Sequence, residues 1–332
     1  MNKRNKQRLM PWLLLIVVCV AVLFSINCGY LKIPYAEVLA SLVNPYSPES
    51  SVVLLQIRLP RIVLAVLCGM GLALSGCTLQ AVTENPLADP GILGINAGAG
   101  FSVMLFLSLF PSLHVRTMIY QPLFAMVGGL FVAVMLYGFS KRHGKVRPDY
   151  MLLGGICLSA GFFALMLIMG ADMDNSSYQL VARWLAGNIW GSSWHQVKAL
   201  IPYLLILIPM LFGMMNVLDL LLLGEEASLA LGVRVERERR ILLIIAVALA
   251  ASCISVSGGI GFVGLVAPHM ARRFVGARHR YLLPTSMLMG GLFLLLADTI
   301  GRSLFQSIEI PVGIMISVLA APYFLYLLRK QT

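Results

Sequence analysis

Five clusters of Lys and Arg divide this chain into apolar stretches, and their spacing restricts it to a polytopic membrane protein. The clusters are Lys3/Arg4/Lys6/Arg8, Lys141/Arg142/Lys145/Arg147, Arg234/Arg237/Arg239/Arg240, Arg272/Arg273/Arg278/Arg280 and Arg329/Lys330. Such cations collect in cytoplasmic loops, so an even number of membrane crossings is expected between consecutive clusters. Apolar runs near the ~20 residues that a spanning helix needs fit at about 10–28, 62–82, 91–110 and 120–139, then at 151–171 and 199–217, and finally at 282–300 and 311–328. Between Arg240 and Arg272 there is room for one full span, 241–257, and a short return helix near 262–271 that needs protein rather than lipid around it. The expectation is an all-α polytopic membrane protein with ten transmembrane helices and both termini cytoplasmic, forming a single transmembrane domain over residues 1–332.

Composition agrees, because 59% hydrophobic residues, 12% charged residues and a mean hydropathy of +0.87 do not describe a soluble domain. The net charge of +11 would suit a nucleic-acid surface, but 18 of the 25 cations lie in the five clusters, where anionic lipid and insertion topology account for them. Membrane lipid is the expected partner, and nucleic acid is not. The first apolar run is longer than a signal-peptide core and no A-x-A-like site follows it, so it reads as a retained helix. The six cysteines contain no C-x-x-C pair and the five histidines are not spaced as ligand pairs, so neither metal site nor cofactor is expected.

An ion-coupled carrier places ionisable side chains deep in its spans. Here the spans hold almost none. Asp298, close to the outer end of its helix, is the clearest exception, and its simplest account is a carboxylate bonded to a loop backbone or to Arg302. The glycine-rich run 94–100 lacks the Gly-Lys-Ser/Thr ending of a phosphate-binding loop, and Gly144-Lys145 is followed by Val146. Gly94 and Gly98 fit instead the small-xxx-small spacing of closely packed helices. The chain therefore reads as a transport subunit without its own ATPase site, driven by a partner. Residues 218–233 offer that partner a helix, with Glu225 and Glu226 near its start and Gly232 suited to its end, although such a helix could also lie in the membrane interface.

Four stretches carry a resemblance to a known family: Arg58-Leu59-Pro60-Arg61, residues 84–94 (ENPLADPGILG), residues 227–232 and residues 261–269 (GFVGLVAPH). They are similar to the FecCD-type permeases, membrane subunits of ABC importers for iron-siderophores, haem and vitamin B12. Trp184-Leu185-Ala186-Gly187 and Leu296-Ala297-Asp298 extend the resemblance over essentially the whole chain. It implies a second permease subunit, identical or related, two cytoplasmic ATPase subunits and an extracytoplasmic substrate-binding protein. It also implies a cytoplasmic coupling helix segment at about 219–233, containing Glu225 and Glu226, with Ala227, Leu229 and Gly232 as its best-matched positions.

In the same family the counterpart of 84–94 contributes to the inner gate, so Asn85 and Leu87 resemble gate residues; a rigid turn punctuated by Pro86 and Pro90 is the alternative. The arginines matching Arg58, Arg61 and Arg302 pair there with glutamates of the binding protein, a task suited to a guanidinium fork; interfacial anchoring is the simpler reading. Trp184, Trp190 and Trp194 in the loop 172–198 read as membrane-interface anchors. Gly154, Gly155, Ser159, Ala160 and Gly161 give the fifth span a small-residue face that suits either close packing or a wide pore. The expected activity is import of a ferric-siderophore across the cytoplasmic membrane. A permease for haem or vitamin B12 is the nearest alternative, and an ion-coupled secondary transporter the rival of another class.

Overall fold

The computed structural model describes residues 3–28, 52–110, 117–142, 145–146, 148–189, 191–304 and 310–331. Lys32, Arg116, His143 and Trp190 lie outside them. A helix covers each of the ten apolar runs: α1 (Lys3–Asn27), α2 (Leu59–Val82), α3 (Ile95–Leu109), α4 (Thr117–Ser140), α5 (Pro148–Ala171), α7 (Trp194–Gly213), α10 (Val235–Ser257), α11 (Val263–Val275), α12 (His279–Leu304) and α13 (Val312–Gln331). Among the described residues there are three further short helices: α6 (Asn175–Leu185), α8 (Met215–Leu221) and α9 (Glu225–Ala230). A two-residue ladder, Lys141–Arg142 against Lys145–Val146, closes the α4–α5 connection. Among the described residues, seven helices are long and apolar enough to cross a membrane; Ile95–Leu109 and Val312–Tyr323 are apolar but shorter.

The core is built around α2, which is buried on nearly every side by α12, α10 and α11. The close approach rests on glycine. Gly69 of α2 faces Gly290 of α12, and Gly76 of α2 faces Gly264 of α11, each pair so near that a Cβ on α2 would overlap the backbone opposite. Where lipid replaces water, such backbone contact and interhelical hydrogen bonds supply the association that the hydrophobic effect cannot. Ser75 accordingly donates to the Ala246 carbonyl at 2.6 Å and Gln80 to that of Gly264 at 3.1 Å. Gly98 on α3 packs in the same way against Gly128 and Val132 of α4.

Large apolar side chains on the peripheral helices stay exposed, among them Trp12 on α1, Val134 on α4, Leu167 on α5 and Leu205 on α7. Helices apolar on the outside as well as the inside suit a hydrocarbon solvent. α11 differs, being short and amphipathic, with Val263, Val266, Ala267 and Ala271 buried and Arg272 and Arg273 in its last turn.

Two boundaries depart from expectation. The second helical run begins near residue 52 rather than 62, because a π-helical turn, Val53–Arg58, leads straight into α2 with the Leu59 N–H bonded to the Leu54 carbonyl. This wide turn precedes Pro60, which has no N–H to offer an i→i−4 ladder. Arg58 and Arg61 therefore sit within a continuous helical run and not at its entrance. The second departure is α6, a helix inside the expected loop 172–198. Asp174 caps it by accepting from the Ser177 N–H at 3.0 Å, and Ser177, Val181 and Trp184 form its buried face.

Candidate functional site

Polar side chains gather at the two ends of the bundle. At the end away from α9, Arg61 donates through Nε to Asp298 Oδ1 at 2.9 Å, with Nη2 also 2.9 Å from that oxygen. Arg302 Nε lies 3.1 Å from Asp298 Oδ2. Arg302 further donates to the Ser25 hydroxyl at 2.7 Å and the Cys28 carbonyl at 3.3 Å, while Arg58 donates to the Ile26 carbonyl at 2.7 Å. These carbonyls belong to the last turn of α1 and the residue after it, which have no partners further along the helix and favour a cation. The cluster thus ties α1, α2 and α12 together.

Burial corrects the simplest picture of the three arginines as outward-facing groups. Arg58 and Arg61 are 6% and 8% exposed, the Arg302 side chain 8%, and that of Asp298 0%. Trp184 is buried in the main apolar core and not free to anchor an interface, while Trp194 is half-buried and its Nε1 donates to the Leu55 carbonyl at 2.8 Å.

At the opposite end, the segment 219–233 holds the last residues of one short helix, α8, and the whole of a second, α9. Gly224, at φ +92°, separates α8 from α9. Glu225 and Glu226 occupy the first turn of α9, where carboxylates favour the helix dipole. Gly232 takes φ +82°, its N–H bonding to the Leu229 carbonyl and that of Val233 to the Ser228 carbonyl, which closes the helix in a Schellman arrangement. Ser228 is buried and donates to the Leu220 carbonyl at 2.8 Å, pinning α9 to α8. Ala227 and Gly232 are exposed, and with Leu222, Leu223, Leu229 and Leu231 they leave an apolar face open. Asp219 of α8 accepts from the His279 backbone N–H at 2.7 Å, capping α12.

The loop 84–94 lies at this same end, folded as consecutive turns. Asn85 Oδ1 accepts from the Leu87 N–H at 2.8 Å, so the Asn85 side chain builds the turn. Asn85 and Leu87 are both half-buried. Arg239 of α10 reaches the first residue of the loop, Glu84, at 3.0 Å.

On α5, Gly155 packs against the backbone of Leu93 and Ile92, whereas nothing lies within 4 Å of a Cβ placed at Gly161. The small-residue face therefore serves close packing at one point and open space at another.

Asp89 in the loop is buried and accepts from the Gly91 N–H at 2.8 Å. Burial outweighs that bond and pushes its carboxyl up to about 6 from 3.8. A raised carboxyl favours the folded state fully below about pH 4, and the benefit is lost as pH rises through about 6. Asp89→Asn keeps the acceptor and drops the charge. In detergent, its melting temperature is expected to gain on the native chain between pH 4 and 6, with the difference constant above; a pH-independent difference would remove the buried-charge account.

A bundle of long apolar helices, cored on a glycine-packed helix and bearing an exposed helical pair at one end, is the architecture of a membrane transport subunit. The chain belongs to the FecCD transport family, whose profile matches residues 14–330. It is 41% identical over 325 residues to the iron-uptake system permease protein FeuC of Bacillus subtilis, covering 96% of each chain. It is also 41% identical to the iron(3+)-hydroxamate import system permease protein FhuG of that organism, covering 99% of each. Among solved structures, an inward-facing metal-chelate type ABC transporter matches with a TM-score of 0.85 and 30% identity, over 96% of this chain and 98% of that one. This is a transport permease and a multi-pass protein of the bacterial cytoplasmic membrane.

Proposed function

We propose that this chain is the permease subunit of an ATP-binding-cassette importer that moves a ferric-siderophore into the cell. The observation that carries the reading is the end-to-end match with permeases named for iron and iron(3+)-hydroxamate uptake, joined to an exposed apolar helical pair on which an ATPase can seat. The permease crosses the membrane ten times with both termini inside, pairs with a second permease subunit and binds two ATPase subunits. Ala227, Leu229 and Gly232 form the coupling surface, with Glu225 and Glu226 setting the start of its helix, and Asn85 and Leu87 lie in the inner gate loop. A substrate-binding protein docks on the outer end. There Arg58, Arg61 and Arg302 hold α1, α2 and α12 in register beneath the docking surface.

The test is uptake of a radio-iron ferric hydroxamate into proteoliposomes holding the permease, its ATPase and its binding protein. Uptake is expected to require ATP and to persist when an ionophore collapses the proton gradient at constant ATP. Loss of uptake with the ionophore would favour an ion-coupled carrier.

A further inference from the structure

Glu84 is one of two non-glycine residues among those described with positive φ, at +52°. A left-handed conformation is disfavoured for a residue with a Cβ, and here it lies where the chain turns out of α2 into the loop 84–94. The turn delivers the Glu84 carboxylate to Arg239, whose Nη2 donates to Oε1 at 3.0 Å. The two ends of this pair differ. Arg239 is 4% exposed, held in the second turn of α10 with Glu236 Oε1 3.9 Å from its Nη1, whereas the Glu84 side chain is half open to solvent. A guanidinium anchored in a helix thus holds a carboxylate on a strained loop.

What α10 is attached to gives this contact its significance. Four residues separate Ala230, the end of α9, from Val235, the start of α10, and within them the Schellman turn and the bond from the Val235 N–H to the Val233 carbonyl leave little slack. Displacement of α9 therefore reaches the first turns of α10, where Arg239 sits. On its other side the segment is fastened through Asp219 to the His279 backbone N–H and imidazole, at 2.7 and 2.8 Å. The helical pair is held between an attachment to α12 and an attachment, one helix turn on, to the loop.

We propose that the Arg239–Glu84 pair transmits movement of segment 219–233 to the loop 84–94, making Arg239 and Glu84 positioning residues for the inner gate. The proposal rests on reading 219–233 as the coupling element and 84–94 as the gate. Chemistry favours a transmitting role over a merely stabilising one. The charge-assisted Nη2–Oε1 bond runs from a buried, helix-held guanidinium to a half-exposed carboxylate, so it sets where the loop stands relative to the helix.

The test needs no cargo. The purified permease–ATPase complex is compared with and without ATP plus vanadate, reading hydrogen–deuterium exchange at residues 219–233 and 84–94. In the native complex, nucleotide is expected to change exchange in both segments. Glu84→Asn is the informative variant, because asparagine tolerates positive φ but is one carbon too short to reach Arg239. It is expected to keep the nucleotide response of 219–233 and to lose that of 84–94. Glu84→Gln keeps the reach and a hydrogen-bond acceptor, and is expected to restore the loop's response. A loop that still responds in Glu84→Asn overturns the transmission role, as does a variant in which only the melting temperature changes. A native complex in which neither segment responds overturns the coupling reading itself.

Discussion

Replacing Asp298 with alanine is expected to destabilise the fold strongly. The substitution removes one fully buried carboxylate and leaves the guanidinium charges of Arg61 and Arg302 inside the structure without it. Breaking a buried ion pair by deleting one partner typically costs ~3–5 kcal/mol, chiefly because the remaining charge keeps its desolvation penalty. For a chain of this size that corresponds to a fall in melting temperature of about 4–7 °C in detergent, with a matching loss of monodisperse protein on size exclusion. Asp298→Asn retains an acceptor for Arg61 and is expected to fall between the two. Reversal of Arg58 and Arg61 to glutamate is expected to act on the fold in the same way, since both are bonded internally. A melting temperature within 2 °C of the native value in Asp298→Ala would mean that the cluster does not hold α1, α2 and α12 together.

The second large effect concerns Gly76. A side chain there has no free volume to enter, because its Cβ would overlap the carbonyl group and Cα of Gly264 on α11, which are backbone atoms with no rotamer to change. Overpacking a well-filled interior costs ~1–3 kcal/mol and occasionally more. Gly76→Val belongs at the upper end, since separating α2 from α11 also pulls Gln80 from the Gly264 carbonyl. The variant is expected to insert in the membrane yet fail to give a stable purified permease. Gly161→Ala on α5, where the added methyl meets nothing within 4 Å, is the matched control and is expected to be neutral. Equal melting temperatures for the two variants would dismiss the close α2–α11 approach.

The helices were legible because charge clusters and apolar runs are local signals, and each run carries a helix. The arginines were harder to read. An arginine before an apolar run has the same sequence whether it anchors an interface or closes an ion pair, and the partner of Arg61 lies 237 positions away. Asp298 was partly legible, since Arg302 stands one turn on, at a spacing that predicts a contact. The tie between Arg239 and Glu84 left no trace, because Arg239 belongs to a cluster already explained by topology and Glu84 to a loop without cations. α6 could have been found: Asp174 is a suitable cap, and Ser177, Val181 and Trp184 recur at helical spacing. The start of α9 was legible in Glu225 and Glu226, whereas the φ of +92° at Gly224 that parts it from α8 was not.

The distance along the chain between Arg61 and Asp298 also bears on biogenesis. At ~5–20 residues per second, synthesis of the intervening 237 residues occupies roughly 10–50 s. Throughout that interval α2 is already made while the counter-ion of Arg61 is not, so that side chain is expected to rest at the membrane surface, as long cationic side chains at helix ends do. The central helix of the finished core is thus among the first to be translated, and its buried ion pair closes only when α12 follows. A nascent chain interrupted before residue 298 therefore carries the Arg61 guanidinium without the carboxylate that neutralises it in the finished permease.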